Sequence, residues 1–398
     1  MKLCWIVIAA FLASHLPAAD WPQWRGPNRN GISSEKVSAV WPVGGPRVLW
    51  RASVGTGFSS ISVSRGRVYT MGNTNNEDTV WCFDAKTGEQ VWHYSYAAPL
   101  GPQWYEGGPA STPTVDGNRV VTISKWGDVF CFDAVRGTVL WQRDLRRDGI
   151  KTNRWGFAGS PLIWGNAVIL NAGSAGIALD RDTGRIIWCN GTNAAGYASP
   201  TRFETGGTEA VLIFAAKHLV ALDPQNGREL WRQFWETGWD TNNTDPLVWH
   251  ERIFISSFTR GCGLLSVQNG KPEVLYTNSV MHSHLSPGVV QGDYLYAFNG
   301  EAKQETDFRC LYLPTGEVKW VSKDPAFGSM ILANGKLILL SEKGELLLAE
   351  ASPTEFKPLA RAKVLSGVCW TPPALANGQL YIRNARGELR CLELEARP

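Results

Sequence analysis

The sequence predicts an all-β chain folded as an eight-bladed β-propeller of four-stranded antiparallel blades. Three observations predict it. A turn-and-tryptophan unit recurs at intervals of 42 to 49 residues, which suits four short strands and their turns. Glycine (41 of 398 residues) and tryptophan (19) are both abundant, as many tight turns and large packers between short strands require. Finally, a lone strand near the N-terminus and an incomplete unit at the C-terminus together make one whole unit.

The clearest copy of the unit is Ala178-Leu-Asp180-Arg-Asp-Thr-Gly184-Arg-Ile-Ile-Trp188. It recurs at Cys82–Trp92, Cys131–Trp141 and Ala221–Trp231, more weakly at Cys310–Trp320, and faintly at Leu264–Gly270 followed by Tyr276. Each residue type has a physical reason. Ala or Cys is small enough for a strand packed closely against neighbours. Asp accepts a hydrogen bond from a backbone N–H two residues on, closing an Asx turn. Gly supplies the positive φ that ends the turn. Trp then opens the outer strand and buries its ring between adjacent sheets.

The rest of each unit is equally regular. Ser111-Thr-Pro113-Thr-Val-Asp116-Gly117-Asn118 reads as an inner strand ending in a tight turn, and Arg119–Ser124 as the second strand. A Ser-Pro-like opening recurs at Ser160-Pro161, Ser199-Pro200, Asp245-Pro246, Ser286-Pro287 and Thr371-Pro372. Proline as the first residue of a strand costs no ladder bond. Openings near residues 58, 110, 158, 198, 243, 284, 328 and 370 make eight units. The seventh, Gly328–Arg361, lacks the signature but keeps hairpin turns at Asn334-Gly335 and Lys343-Gly344. The eighth stops at its third strand, Arg390–Glu393, whereas Val48-Leu49-Trp50 is a fourth strand without the first three. Ring closure, with the N-terminal strand completing the C-terminal blade, removes the open edges a linear array would leave.

Residues 1–19 read as a signal peptide: Lys2, an apolar run from Leu3 to Leu16, and a small-residue site cut near Ala19. A periplasmic or secreted monomer is therefore expected. Residues 20–45 form a Pro-, Gly- and Trp-rich arm with no strand period, expected to pack across the propeller, which occupies 46–398. The formal net charge of +3 is too small to argue for nucleic acid. Cys82, Cys131, Cys310 and Cys391 share one repeat position and read as buried packers, too far apart to pair. The repeat gives Cys189, Cys262 and Cys369 no role.

The Ala/Cys-x-Asp-x-x-x-Gly-x-x-x-Trp unit resembles the tryptophan-docking motif of quinoprotein (pyrroloquinoline quinone, PQQ) propellers, over residues 46–398. The arm Trp21-Pro-Gln-Trp24-Arg-Gly-Pro27 is similar to the start of exported PQQ-like propeller proteins of planctomycete-type bacteria. The resemblance implies that Trp50, Trp92, Trp141, Trp188, Trp231 and Trp320 dock between blades. It leaves three functional groups open: quinoprotein dehydrogenases that bind PQQ and calcium, the propeller lipoprotein of the outer-membrane β-barrel assembly machinery, and PQQ-like proteins without a settled activity. A repeat identifies a scaffold and does not select among them. The chain has no adjacent cysteine pair and no CxxCH, and it is shorter than the dehydrogenases.

Candidate site residues follow from ring topology. Segments entering the inner strands converge on one end of the channel. Here they carry Trp104, Tyr105, Glu106, Arg154, Trp155, Tyr197, Trp239, Asp240, His282, His284 and Trp370. Polar groups among aromatic walls are the usual make-up of a ligand site, so a protein, peptide or small molecule is expected at this mouth. Thr237-Gly238-Trp239-Asp240 resembles the Trp-Asp segment of some family dehydrogenases. That resemblance would make Asp240 a base, with Asn242, Asn243 and Asp245 as calcium ligands; the competing reading is that these residues shape a loop. His282-Ser-His284, if on a strand, would turn both imidazoles to one face for a metal; a loop pair lining the mouth without metal is the preferred reading. The expectation is a non-enzymatic binding or scaffold propeller without cofactor, against the alternative of a PQQ- and calcium-dependent oxidoreductase acting on an alcohol or sugar.

Overall fold

A computed structural model describes residues 20–302 and 304–394. The expected signal peptide lies outside the described residues. Eight antiparallel blades make up the chain, and the helical content among the described residues is one short 3-10 turn, Gly238–Asp240. In the first blade, Ser62–Ser64, Arg67–Thr74, Glu77–Asp84 and Gln90–Ala97 pair in sequence order. The next six inner strands begin at Thr114, Leu162, Thr201, Leu247, Val289 and Gly328. The eighth blade supplies Ala374–Ala376, Gln379–Arg383 and Glu388–Glu393, and Val48–Ser53 closes it from the other end of the chain, Val48 opposite Leu392 and Ser53 opposite Glu388.

Every blade carries a register shift one residue before the signature aromatic position: Val139 opposes Phe132, yet Trp141 opposes Cys131. The same shift falls at Cys82/Phe83, Ala178/Leu179 and Cys310/Leu311. Such a bulge sharpens the local twist and swings the ring toward the next blade. There Trp50 Nε1 donates to the Ala85 carbonyl (2.9 Å), Trp92 to Ala134 (3.0 Å), Trp141 to Arg181 (2.8 Å), Trp188 to Pro224 (3.1 Å) and Trp320 to Ser352 (2.9 Å). Tyr276, in the faint fifth copy, does the same to Leu313 with its hydroxyl (2.8 Å). The motif aspartates close the turns beneath: Asp133 Oδ1 accepts from the Val135 and Arg136 amides, which hold its carboxyl below the usual range.

The motif glycine is needed twice over. Gly137 has φ +73°, and a Cβ there would sit 2.5 Å from the Trp92 ring. Gly137→Ala is thus expected to destabilise the protein by about 2–3 kcal/mol, through left-handed strain plus overpacking. Chemical denaturation measures it; a loss under 0.5 kcal/mol would contradict the double requirement. At the fifth blade the turn is instead the two-residue hairpin Asn269-Gly270, both at positive φ, and Gly270 faces open space, so Trp231 has no glycine to rest on. In the seventh blade Ala360 stands opposite Leu348, where the others place the aromatic ring.

The four repeat-position cysteines are buried and unpaired. Cys262 is buried and donates to Asn278 Oδ1 (2.9 Å), Cys369 is buried, and Cys189 is partly exposed.

The arm is more ordered than its composition suggests. Trp21, 2% exposed, bridges the first inner strand through Val63, and the Pro22 carbonyl accepts from Val115 of the second. Arg29 donates to Pro161 at the third blade, Trp24 to Asp245 at the fifth and Arg25 to the Gly288 carbonyl at the sixth. Ile32–Ser33 then adds a fifth, parallel strand to the seventh blade, and Glu35 accepts from the turn amides of Asn377 and Gly378 in the eighth. The arm therefore runs along the inner wall of the channel. Two residues of strand carry no period that a sequence can display.

Candidate functional site

Strand alternation fixes which loops share an end of the ring. The chain enters each inner strand at one end, so the entry segments and the turns between second and third strands face the mouth. Side-chain oxygens at four consecutive openings, those of blades 2 to 5, hold the entry segments in place. Ser60 N donates to Thr112 Oγ1 (3.1 Å), Thr112 N to Ser160 Oγ (2.9 Å), Ser160 N to Ser199 Oγ (3.0 Å) and Ser199 N to Asp245 Oδ1 (2.7 Å). Asp245 is thus the fifth blade's version of the opening serine, and its other oxygen accepts from Trp24 Nε1 (2.5 Å).

On this frame a belt of aromatic and cationic side chains runs around part of the mouth. Phe58 stacks on Trp370 (ring centroids 5.3 Å apart) and tilts against Tyr105 (5.6 Å). Trp370 Nε1 donates to Glu342 (3.2 Å). Tyr105 donates to the Trp155 carbonyl (3.1 Å) and accepts from Lys125 Nζ (2.8 Å). Trp155 packs against Tyr197 (5.9 Å), and Arg154 lies over both Trp155 (5.2 Å) and Trp239 (4.6 Å), within cation–π range. Trp104 and Trp239 remain 79% and 68% exposed. Trp239 and Asp240 both hold left-handed backbone, φ 64° and 56°, which costs a non-glycine residue about 1–3 kcal/mol.

Lys125 and Phe58 were not among the sequence candidates. Lys125 comes from a turn between second and third strands, which the ring also brings to the mouth. It is 2% exposed and donates to the Gly101 carbonyl as well as Tyr105. Desolvation pushes its ammonium down to about 8, with Asp78 partly opposing. Between pH 8 and about 10.4 the folded state has released this proton and the unfolded state still holds it. Stability from this group therefore rises with pH across that window. Lys125→Met should remove the rise. Denaturation midpoints of the two proteins, taken as a difference from pH 8 to 10.5, check this; parallel profiles would contradict it.

The histidines behave differently from a strand pair. Residues 281–288 are irregular, so no pleat aligns the imidazoles. His282 Nδ1 bonds the Phe258 carbonyl (2.8 Å), whereas His284 packs on the Phe258 ring (4.4 Å). Burial lowers His284 to about 4, which keeps it neutral at physiological pH.

The three oxygen ligands suggested for calcium do not fit that task as a set. Asn242 is fully buried; its amide donates to Ala215, Ala216 and Trp235 carbonyls and its oxygen accepts from Ser257. Asp245 serves Ser199 and the arm. Asn243 Oδ1 alone is buried without a partner. Among the described residues no three His, Cys, Asp or Glu side chains are placed to share a metal ion. The bonds Asn242 and Asp245 make are those of loop-shaping residues.

Fold and mouth together define a closed eight-bladed propeller, six of whose blades are latched by an aromatic N–H or O–H group on the next blade's turn. A family model described as "Outer membrane protein assembly factor BamB" matches residues 34–103 and 79–322, and the chain belongs to this PQQ-like repeat family. No curated protein matches it in sequence. Among solved structures, BamB from Moraxella catarrhalis is 15% identical, with 88% of this chain and 100% of that one covered and a TM-score of 0.61. Quinohemoprotein alcohol dehydrogenase from Comamonas testosteroni is 13% identical, with 96% and 81% covered and a TM-score of 0.66. The computationally designed Ika8 protein is 11% identical, with 86% and 98% covered and a TM-score of 0.60. At such identities the likeness is one of fold. Among the described residues no helix is long and apolar enough to cross a membrane.

Proposed function

We propose that this chain is an exported, non-enzymatic binding propeller that holds a peptide segment of a protein partner against the aromatic belt of its mouth. The observation that carries the reading is the presentation of Trp239. Its indole is 68% exposed on strained backbone, yet it is held by Arg154. Strain of that kind persists where the surroundings over-determine it, and it gathers at ligand clamps. Trp, Tyr and Arg are the residues that dominate protein interfaces, and here they form one belt. The family's description, an outer-membrane assembly factor, is consistent with a protein partner. The oxidoreductase alternative would need Asp240 to act beside a calcium ion, and Asn242 and Asp245 are already engaged in bonds that shape the entry loops.

Panning a displayed peptide library against the mature protein tests the proposal. Enriched peptides are expected to bind at micromolar affinity and to weaken about thirtyfold or more on Trp239→Ala, the loss of a hot-spot side chain. Enriched peptides that bind Trp239→Ala and Trp104→Ala as well as the parent would overturn it. Export has its own test: N-terminal sequencing of protein made with residues 1–19 should begin at or beside Asp20, and a retained Met1 would contradict it.

A further inference from the structure

The end of the ring opposite the mouth holds a cavity of about 840 Å³. Its floor is the arm around Gln23, Asn28 and Arg29, and its rim includes the first hairpin turns of blades 2, 3, 5 and 6 at Asp116, Gly165, His250 and Gly292. Three guanidinium groups line it: Arg29, Arg181 and Arg202. Arg181 is neutralised, with Asp116 at 3.0 Å and Asp182 at 3.6 Å. None of the ion pairs among the described residues includes Arg29 or Arg202. Arg29 donates to neutral oxygens of Gln23 (3.2 Å), Pro161 (2.9 Å) and Ser160 (3.3 Å), and Arg202 to the Ile163 carbonyl (2.7 Å) while lying over Trp164.

These two cations repel each other, and Arg25 adds a third positive charge beside Arg29. Asp245 is the carboxylate that offsets them, and both its oxygens are taken by Ser199 N and Trp24 Nε1. Burial lowers Arg29 only to about 10, so it is cationic at neutral pH. Like charges gathered in a cleft with low-dielectric walls focus the field on an incoming anion. Planar guanidiniums match the oxygens of a carboxylate, sulfate or phosphate. The volume is that of a small-molecule site, well beyond a single inorganic ion, and amides and hydroxyls of Gln23, Asn28, Thr114 and Thr201 stand on its walls.

We propose that this cavity is a second binding site, for an oxyanion-bearing polar ligand of about disaccharide size, whose anionic group is taken by Arg29 and Arg202. It lies at the other end of the channel from the mouth and stands or falls independently of the peptide reading.

Isothermal titration at matched ionic strength tests it, with digalacturonate, lactose and sodium sulfate as probes of the mature protein. Digalacturonate is expected to bind and lactose not to. Arg202→Gln, which changes a side chain at the cavity's exposed side, should weaken binding about tenfold or more while the thermal melting curve stays in place, and Arg202→Lys should recover only part. Sulfate binding as tightly as digalacturonate would overturn the disaccharide-sized ligand, since the sugar rings would then add nothing. No heat from digalacturonate or sulfate, equal binding of lactose, or unaltered binding by Arg202→Gln would overturn the proposal.

Discussion

Arg383→Met is expected to lower the free energy of unfolding by about 3–5 kcal/mol. Arg383 is fully buried on the second strand of the closing blade. It reaches across to the first blade, donating to the carbonyls of Ser59 (3.1 Å), Met71 (2.6 Å) and Gly55 (3.0 Å) and to Thr70 Oγ1 (3.1 Å). One planar fork thus satisfies several acceptors at the seam where the ring closes. Methionine fills similar space but takes the guanidinium donors from the Met71 and Gly55 carbonyls and leaves Ser59 O with the Thr70 hydroxyl, and each buried group orphaned costs about 1–3 kcal/mol. Lysine keeps the charge without the fork and should fall between. Arg386→Met, three residues on and exposed, is the control and should change stability by less than about 0.5 kcal/mol. Guanidinium denaturation measures all three. An Arg383→Met protein as stable as the control would remove the seam role.

Trp21→Ala is expected to cost about 3–5 kcal/mol by the loss of a fully buried indole, but the damage should fall on the arm. Trp21 packs in the core cluster of blades 1, 7 and 8, and a Cβ at Gly26 would sit 2.8 Å from its ring. The blades keep their own ladders without it. Hydrogen exchange should therefore show the amides of Val115 and Leu332 losing protection, since they donate to the arm carbonyls of Pro22 and Gly31. Strand amides such as Val121 and Leu339 should stay protected. Equal loss at both sets would mean that arm and ring unfold as one unit, contrary to this picture.

Much of the fold was legible because the repeat encodes it twice, in spacing and in chemistry. The orphan strand at Trp50 demanded closure, and Val48–Ser53 sits beside Glu388–Glu393. Even the weak copies told the truth: Asn269-Gly270 is a different turn, and it gives Trp231 no glycine to rest on. The role of Asp245 was also in the sequence. It occupies the Ser-Pro opening of the fifth unit, which argues for an acceptor in the hydroxyl chain before it argues for a metal ligand. The arm's course was not legible, because its contacts are single residues reaching different blades. Lys125 was hidden for a related reason: a lone lysine in a turn looks solvated until the ring brings Tyr105 and Gly101 against it. The histidine pair carried two readings because spacing has directional meaning only on a regular strand; residues 281–288 form none, so the strand geometry needed for a shared metal face is not there.

The reading of the mouth as a binding surface and not a redox centre is decided most directly by an absorbance titration of the mature protein with PQQ in the presence of calcium. No saturable spectral change at protein-stoichiometric PQQ is the expected result, because Asn242 and Asp245 hold the entry loops together. A stoichiometric change that requires calcium and disappears in Asp240→Ala would contradict it and make the mouth a quinoprotein active site.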